Sequence, residues 1–147
     1  MTGPESGPLV SPGFWLHQAA LRWRAELDAR LRPLGLTHTQ FILLASVGWL
    51  EHVGEPPTQQ EVAVHAGADR MMTSRVVRTL AERGLIRRTA DESDGRSVRL
   101  HLTVPGRELA GRGIRIAQDL ELLLFGDDPA RLRGSLRELA TAQVLGR

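Results

Sequence analysis

Side chains that suit nucleic-acid recognition recur at helical spacing near the middle of the chain. Met71, Ser74, Arg75 and Arg78 stand at positions i, i+3, i+4 and i+7 of a predicted helix over 70–83, so they share one face. An arginine can donate two hydrogen bonds to a guanine edge or neutralise a phosphate, while serine and methionine suit polar and thymine-methyl contacts. The opposite face is apolar and predicted to be buried. The pattern favours a helix that lies in a DNA major groove, and a solvated charged face is the alternative.

Four more residues, Gln59, Arg70, Asp94 and Arg96, are assigned to the same surface. Arg96 lies at the tip of a predicted hairpin, where an arginine can enter the minor groove beside the helix. Asp94, two residues earlier, is expected to pair with the Arg96 guanidinium, and an aspartate that only stabilises the turn is the alternative. Gln59 and Arg70, at the starts of two successive predicted helices, complete the predicted DNA-binding set.

Capping and turn signals predict the elements that would position these residues. Apolar spacing and caps at serine, threonine and aspartate predict helices, and two alternating segments around an Asp94-Gly95 turn predict a hairpin. The predicted helices cover 12–31, 41–52, 59–65, 70–83, 106–124 and a segment after Pro129, and the predicted strands cover 85–89 and 98–102. A hairpin that directly follows a helix-turn-helix makes the motif winged. We therefore expect a mainly α fold with a small β-hairpin wing, preceded by a flexible arm over 1–11.

Composition limits the classes of function. All 19 basic residues of the 147 are arginine, and the segment 70–115 holds eleven of them against five acids, a local charge of +6, whereas the rest of the chain carries −4. One basic third in a nearly neutral chain indicates a specific anionic partner. The absence of cysteine excludes disulfides, thiolate metal sites and cysteine nucleophiles. No apolar stretch is long enough for a bilayer and the first basic residue is Arg22, so we expect a cytoplasmic protein without a membrane partner.

The run from Thr58 to Leu109 resembles the winged helix-turn-helix core of MarR-type transcriptional regulators. The resemblance depends on three pieces, TSRVVRTLAERGLIRR, SDGRSVRLHLT and PGREL. The chain departs from the family pattern at Gly95, where a charged residue is usual, which predicts a more flexible wing tip. The resemblance implies one domain over 12–147, with the winged core at about 37–103 and dimerisation helices at about 12–32 and 104–146.

The same resemblance implies a homodimer that binds a pseudo-palindromic double-stranded DNA operator, most simply as a repressor. The nearly continuous apolar run of Leu120, Leu122, Leu123, Leu124 and Phe125 favours a dimer independently, because a monomer of this size could hardly cover it. Leucines that pack only within one protomer are the alternative. Two-fold symmetry predicts half-sites about one helical turn apart.

The family resemblance also implies a small aromatic or phenolic effector. Trp15, His17, Trp23 and Trp49 on the first two predicted helices could stack an aromatic ring, although tryptophans that simply belong to the core are the alternative. No cofactor is expected.

Other functions are disfavoured by the sequence. An enzyme is not expected, because no GxSxG, P-loop or GxGxxG pattern occurs. A metal-sensing regulator stays open, since five histidines are present, but no two stand three or four apart on one predicted helix. A winged-helix module that binds protein instead of DNA is expected to have an acidic or apolar exposed face on the helix over 70–83, and this face is basic.

Overall fold

The computed structural model describes residues 7–144, which form six α-helices and one two-stranded antiparallel sheet. The helices are α1 (Pro12–Leu31), α2 (His38–Val53), α3 (Gln59–Ala66), α4 (Arg70–Glu82), α5 (Val104–Phe125) and α6 (Ala130–Thr141), and the strands are β1 (Ile86–Ala90) and β2 (Val98–Leu102). Short 3-10 turns cover Gly7–Val10 and Arg32–Leu34. The predicted fold class, helices with one hairpin wing, is confirmed.

The helices begin where the sequence predicts caps. The Thr37 hydroxyl accepts a hydrogen bond from the Gln40 N–H while the Gln40 side chain accepts one from the Thr37 N–H, a reciprocal capping box at the start of α2. Asp69 caps α4 and Thr103 caps α5 by accepting N–H groups of the first turn. These caps fix where each helix begins and therefore which residues its faces carry.

The predicted arm, 1–11, lies only partly within the described residues. Residues 1–6 lie outside the described part of the chain, and Gly7–Val10 form one turn of 3-10 helix. The Trp15 indole N–H donates to the Leu9 carbonyl at 2.8 Å and so ties this turn to the first turn of α1.

The hydrophobic core surrounds α2. Leu43, Leu44 and Val47 have no exposed surface, and α2 contacts α1, α3, α4, α5 and β2. Fully buried side chains from the other elements include Leu27, Leu31, Val62, Val77, Leu80, Leu100 and Leu120. Leu120 thus belongs to the core of the protomer, whereas the rest of the apolar run 120–125 points outward or is only half-buried.

Two glycines let α5 approach the core closely. A Cβ on Gly113 would lie 2.6 Å from the ring of Phe41, and one on Gly106 would overlap the Leu85 carbonyl oxygen. The low helix propensity of glycine is therefore offset by closer packing of α5 against α2 and the start of the hairpin.

The hairpin is joined to the helical body through the second edge of β2. Within the hairpin Ile86 lies opposite Leu102, and Ala90 lies opposite Val98. On the other edge, the Leu100 N–H donates to the Pro57 carbonyl at 2.8 Å, next to an isolated bridge between Thr58 and Arg99. The wing is thus attached to the segment that leads into α3.

Exposed apolar side chains collect near both ends of the described chain. They include Leu9, Val10, Trp15, Leu16 and Leu21 near the amino end, and Leu122, Leu123, Leu124, Leu132, Leu136, Leu139 and Val144 near the carboxyl end. No helix within residues 7–144 combines the length and the apolar character needed to cross a bilayer.

Candidate nucleic-acid interface

The rotation of α4 is fixed by its buried side. Val77 and Leu80 have no exposed surface, and the Thr73 hydroxyl, equally buried, donates to the Asp69 carbonyl at 2.7 Å. The Asp69 carboxylate accepts the Met72 N–H at 2.8 Å and closes the first turn. Because this side is held in the core, the opposite side of α4 has to face solvent.

The solvent side of α4 carries the predicted recognition residues. Met71 is 77% exposed, Arg75 and Arg78 are exposed, and Ser74 is half-buried. Among residues 7–144, no carboxylate lies within 4.0 Å of the guanidinium groups of Arg75 or Arg78. Their charges are therefore not neutralised within the protomer and remain available to a polyanion.

A cleft of about 330 Å³ separates the start of α4 from the wing. It brings together five of the predicted residues, Gln59, Arg70, Met71, Ser74 and Arg96, on walls formed by α3, α4 and the hairpin. Arg75 and Arg78 continue the exposed face of α4 beyond the cleft. The arrangement can receive a strand of an anionic polymer between two arginine-bearing walls.

The interaction predicted between Asp94 and Arg96 takes another form. Asp94 accepts the backbone N–H of Arg96 at 3.0 Å and the Ser97 hydroxyl at 3.1 Å. Within the described residues no ion pair joins its carboxylate to the Arg96 guanidinium, so the expected pairing is wrong. A carboxylate two residues before an N–H is well placed for an Asx turn, which stabilises the tip and leaves the arginine head free.

Arg99 is not among the predicted site residues, yet it joins the wing to the helical body. Arg99 Nη1 donates to the Pro56 carbonyl at 2.6 Å, and its Nε lies 3.4 Å from Asp91 Oδ1. Asp91 also accepts the N–H and the hydroxyl of Ser93. These hydrogen bonds from Ser93, with those from Arg99, hold the pKa of Asp91 below its usual value. The alternation of β2 marks Arg99 as outward-facing, but no local signal reveals its partner 43 residues earlier.

A second set of polar contacts fixes the base of the wing to α2. Glu51 Oε2 accepts the Leu102 N–H at 3.4 Å and lies 3.6 Å from Arg107 Nη2, and Oε1 lies 3.8 Å from His101 Nδ1. The other His101 nitrogen is 3.1 Å from the Thr89 hydroxyl. His101 is therefore partly buried between the hairpin and α2.

Comparison with known proteins decides the family. A family model described as the MarR family matches residues 36–98. The uncharacterized HTH-type transcriptional regulator YdcH of Bacillus subtilis is 38% identical over 120 residues, which is 82% of this chain and 82% of YdcH. The chain belongs to the MarR family. It is a DNA-binding transcriptional regulator, as the resemblance seen in the sequence implied.

Further relatives extend the likeness over almost the whole MarR-family chain. An HTH-type transcriptional repressor of Mycobacterium tuberculosis is 34% identical over 100 residues, 68% of this chain and 69% of that protein. The transcriptional repressor CouR bound to a 23-mer DNA duplex superposes with a TM-score of 0.79 at 27% identity, covering 95% of this chain and 99% of CouR. CouR from Rhodococcus jostii bound to p-coumaroyl-CoA gives a TM-score of 0.80 at 24% identity, covering 96% and 99%.

The four predicted ligand-binding residues of this MarR-family chain differ in burial, and none of them lines the cleft between α4 and the wing. Trp15 is 53% exposed and packs edge-on against Phe14, and His17 is exposed. Trp49 is 55% exposed on α2. Trp23 alone is partly buried, with its ring edge-on to the His38 imidazole at 5.3 Å between centroids.

A small cavity that no sequence pattern predicts lies beside His38. Its volume is about 100 Å³, and its walls include Arg24 of α1, His38 and Ile42 of α2, and Met72 of α4. His38 Nε2 is buried and has no hydrogen-bond partner among the described residues. Burial, and secondarily the charge of Arg24, lower the pKa of His38, which favours a neutral imidazole. A buried polar atom without a partner can be satisfied by a polar group of a ligand.

Histidine, aspartate and glutamate do not converge in the way a metal site requires. Across residues 7–144, no group of three such side chains could hold an ion. Two of the five histidines have a ring nitrogen within hydrogen-bond distance of a hydroxyl: His65 Nδ1 lies 3.1 Å from the Ser46 hydroxyl, and His101 Nε2 lies 3.1 Å from the Thr89 hydroxyl.

Proposed function

We propose that this chain is a repressor that binds a pseudo-palindromic operator as a homodimer, and that a small aromatic molecule relieves the repression. In this proposal the winged core, about 37–103, makes the DNA contacts, and the helices at about 12–32 and 104–146 make the dimer contacts. Binding involves no catalytic step. A chromosomal operator as partner agrees with the expected cytoplasmic location.

The cleft between α4 and the wing is the observation that supports operator binding best. Its walls carry Arg70 and Arg96, and Arg75 and Arg78 continue the same face without carboxylate partners among residues 7–144. With α4 in the major groove, Arg75 and Arg78 reach base edges or phosphates, and Arg96 reaches the neighbouring minor groove. The repressor of Mycobacterium tuberculosis and the DNA-bound CouR favour the same activity.

Exposed leucines on α5 and α6 support a homodimer. Leu122, Leu123 and Leu139 are 56%, 71% and 64% exposed, and α6 contributes no buried residue to the protomer. A helix with one leucine side and no partner is unstable in water, so we assign its partner to the second protomer. The symmetric copy then places two α4 helices on one face for two half-sites about one helical turn apart.

The cavity beside His38 is the site we assign to the effector. A volume of about 100 Å³ is well below the ~300 Å³ of small ligand pockets, so a ring-sized ligand must displace a wall. One wall is Met72, which is adjacent in α4 to the DNA-facing Met71. A ligand that binds only when α4 shifts favours a dimer whose recognition helices no longer match the operator.

Selection of bound duplexes from a random pool tests the DNA activity. We expect enrichment of an inverted repeat with half-sites about one turn apart. The same selection with Arg75→Ala should lose preference at one position of each half-site, while Arg30→Ala, a change on α1 outside the cleft, should leave the preference unchanged. Failure to enrich any sequence would contradict the proposal and favour a protein-binding winged helix.

A thermal-shift screen of aromatic acids tests the effector site. A ligand that binds the native dimer should raise its Tm and release the selected duplex. His38→Ala should abolish both effects, whereas His52→Ala, at an exposed position of α2, should retain them. Ligand-induced release that persists in His38→Ala would place the effector elsewhere.

A further inference from the structure

Arg99 connects three separate segments around the wing. Its Nη1 donates to the Pro56 carbonyl at 2.6 Å and lies 4.0 Å from Glu55 Oε2, both in the loop between α2 and α3. Its Nε lies 3.4 Å from Asp91 Oδ1 at the end of β1. The same residue pairs through its backbone with Thr58, the N-cap of α3. One side chain thus joins the hairpin to the start of the helix-turn-helix.

The hydrogen bonds of Asp91 extend this connection toward the tip of the wing. It accepts the Ser93 N–H at 3.2 Å and the Ser93 hydroxyl at 3.1 Å, and the Asp91 N–H donates to the Ser97 carbonyl at 3.0 Å. The next turn, closed by Asp94, contains Arg96. A continuous set of hydrogen bonds therefore runs from the loop before α3 to the residue at the wing tip.

Arg99 and Arg96 are in opposite electrostatic situations. The Arg99 side chain is only 24% exposed and its donors contact two carboxylates and a carbonyl, so its charge is balanced by the protein itself. Arg96 is exposed, and no carboxylate among residues 7–144 pairs with it. Arg96 is suited to contact DNA, and Arg99 is suited to hold the structure that carries Arg96.

We propose that Arg99 is a positioning residue for operator recognition: by fixing the wing to the loop before α3, it sets where Arg96 meets the minor groove. The inference rests on the proposed DNA binding. A planar guanidinium with several fixed donors suits this role, because it can bond the Pro56 carbonyl and the Asp91 carboxylate at once, whereas a lysine ammonium is a single point charge. Without Arg99 the wing keeps the Leu100–Pro57 backbone bond and the Glu51 contacts at its base, but it loses the side-chain link between the loop before α3 and Asp91. Arg96 then samples several positions.

The proposal is tested on two operators that differ only in the flanks next to each half-site, one A·T-rich and one G·C-rich. Wild-type protein should prefer the A·T-rich flank, and Arg96→Ala should remove that preference. Arg99→Ala should remove it as well, with about a tenfold loss on the A·T-rich operator and little loss on the other. Arg99→Lys should recover only part of the preference.

A double-mutant cycle separates positioning from direct contact. If Arg99 acts through Arg96, the Arg96→Ala/Arg99→Ala protein should bind no more weakly than Arg96→Ala alone. If the affinity loss of the double variant instead equals the product of the two single-variant losses, and is the same on both operators, then Arg99 contacts phosphate itself. That result would overturn the proposal. Arg30→Ala, once sedimentation velocity has shown that it is still a dimer, is the control for a general loss of positive charge.

Folding is checked independently by the Tm of each variant without DNA. If Arg99→Ala does not fold, Asp91→Ala removes the oxygen that Arg99 and Ser93 contact and should reproduce the loss of flank preference in a folded protein. A folded Asp91→Ala or Arg99→Ala with wild-type preference would overturn the positioning role alone. Failure of wild-type protein to bind any duplex would instead overturn the proposed function.

Discussion

Asp94 accepts the backbone N–H of Arg96 at 3.0 Å, and no carboxylate among residues 7–144 pairs with the guanidinium of that arginine. The acid therefore shapes the wing tip without neutralising the charge that the tip presents. This distinction matters for recognition, since a guanidinium already bound to a carboxylate has to lose that partner before it can contact DNA.

The role of Asp94 as a turn former predicts different outcomes for two substitutions. Asp94→Asn keeps an oxygen that can accept the Arg96 N–H, so operator affinity should change by less than about twofold. Asp94→Ala removes the acceptor of both the Arg96 N–H and the Ser97 hydroxyl, so it should weaken binding by about 1–3 kcal/mol, the net value of two hydrogen bonds. Fluorescence anisotropy with a labelled operator measures both. Equal, strong losses in the two variants would instead indicate that the charge of Asp94 is essential.

The exposed arginines of α4 should separate into base-reading and phosphate-binding residues. Arg75→Ala or Arg78→Ala should reduce affinity by about 1–3 kcal/mol and relax the preference at one base pair per half-site if the residue contacts a base. A panel of single-base operator variants measures the preference. A loss of affinity that is the same on every operator sequence, together with a smaller salt dependence of binding, would show that the residue contacts a phosphate.

The apolar surface of α5 and α6 predicts the oligomeric state. A chain that ends at Asp127 lacks α6, which contributes no buried residue, so its protomer should fold but sediment as a monomer with much weaker operator binding. Leu123→Glu should act in the same direction, because it places a charge on a leucine that is 71% exposed in the protomer. Sedimentation velocity distinguishes monomer from dimer. A tight dimer in both variants would contradict the assigned interface.

Two glycines of α5 should respond oppositely to the same substitution. Gly113→Ala places a Cβ 2.6 Å from the Phe41 ring and should destabilise the protein by about 1–3 kcal/mol. Gly111→Ala meets nothing within 4 Å and should stabilise the helix by up to about 1 kcal/mol. Thermal unfolding of the two variants measures the difference. A lower Tm for Gly111→Ala would show that a partner, such as the second protomer, fills that space.

The lowered pKa of His38 predicts how stability depends on pH. The unfolded chain takes up a proton near the ordinary histidine value of 6.5, and the folded protein resists protonation of His38. Unfolding therefore binds a proton, and the free energy of unfolding should fall as pH drops below 6.5. Urea titrations between pH 5 and pH 8 should show this fall in wild-type protein and a shallower one in His38→Gln. An identical fall in both would assign the effect to other groups.

The elements were predictable because their signals are local. Thr37 with Gln40, Asp69, and Thr103 lie within three residues of the N–H groups they cap, and the stripe of α4 follows from helical spacing alone. The sequence therefore predicted the fold class, and it predicted which side of α4 is exposed.

The contacts that position the wing were not predictable from local patterns. Arg99 bonds Pro56, 43 residues earlier, and Glu51 reaches Leu102 across 51 residues, so both depend on how the hairpin packs on α2. Asp94 had two competing donors, and the nearby N–H closed the turn in place of the guanidinium. The sequence did not distinguish the buried Leu120 from its exposed neighbours, because a continuous apolar run has no periodicity that marks the buried side of the helix.

The most direct test of the DNA interface uses the lack of native cysteine, which makes any introduced thiol unique. Met71→Cys, at a site that is 77% exposed on α4, is labelled with a DNA-cleaving iron chelate and bound to the selected operator. The account predicts two clusters of cleavage, symmetric about the operator centre and about one helical turn apart, and none from the same label at Arg30→Cys. Cleavage that is absent from Met71→Cys, or equal from both positions, would contradict the assignment of α4 as the recognition helix.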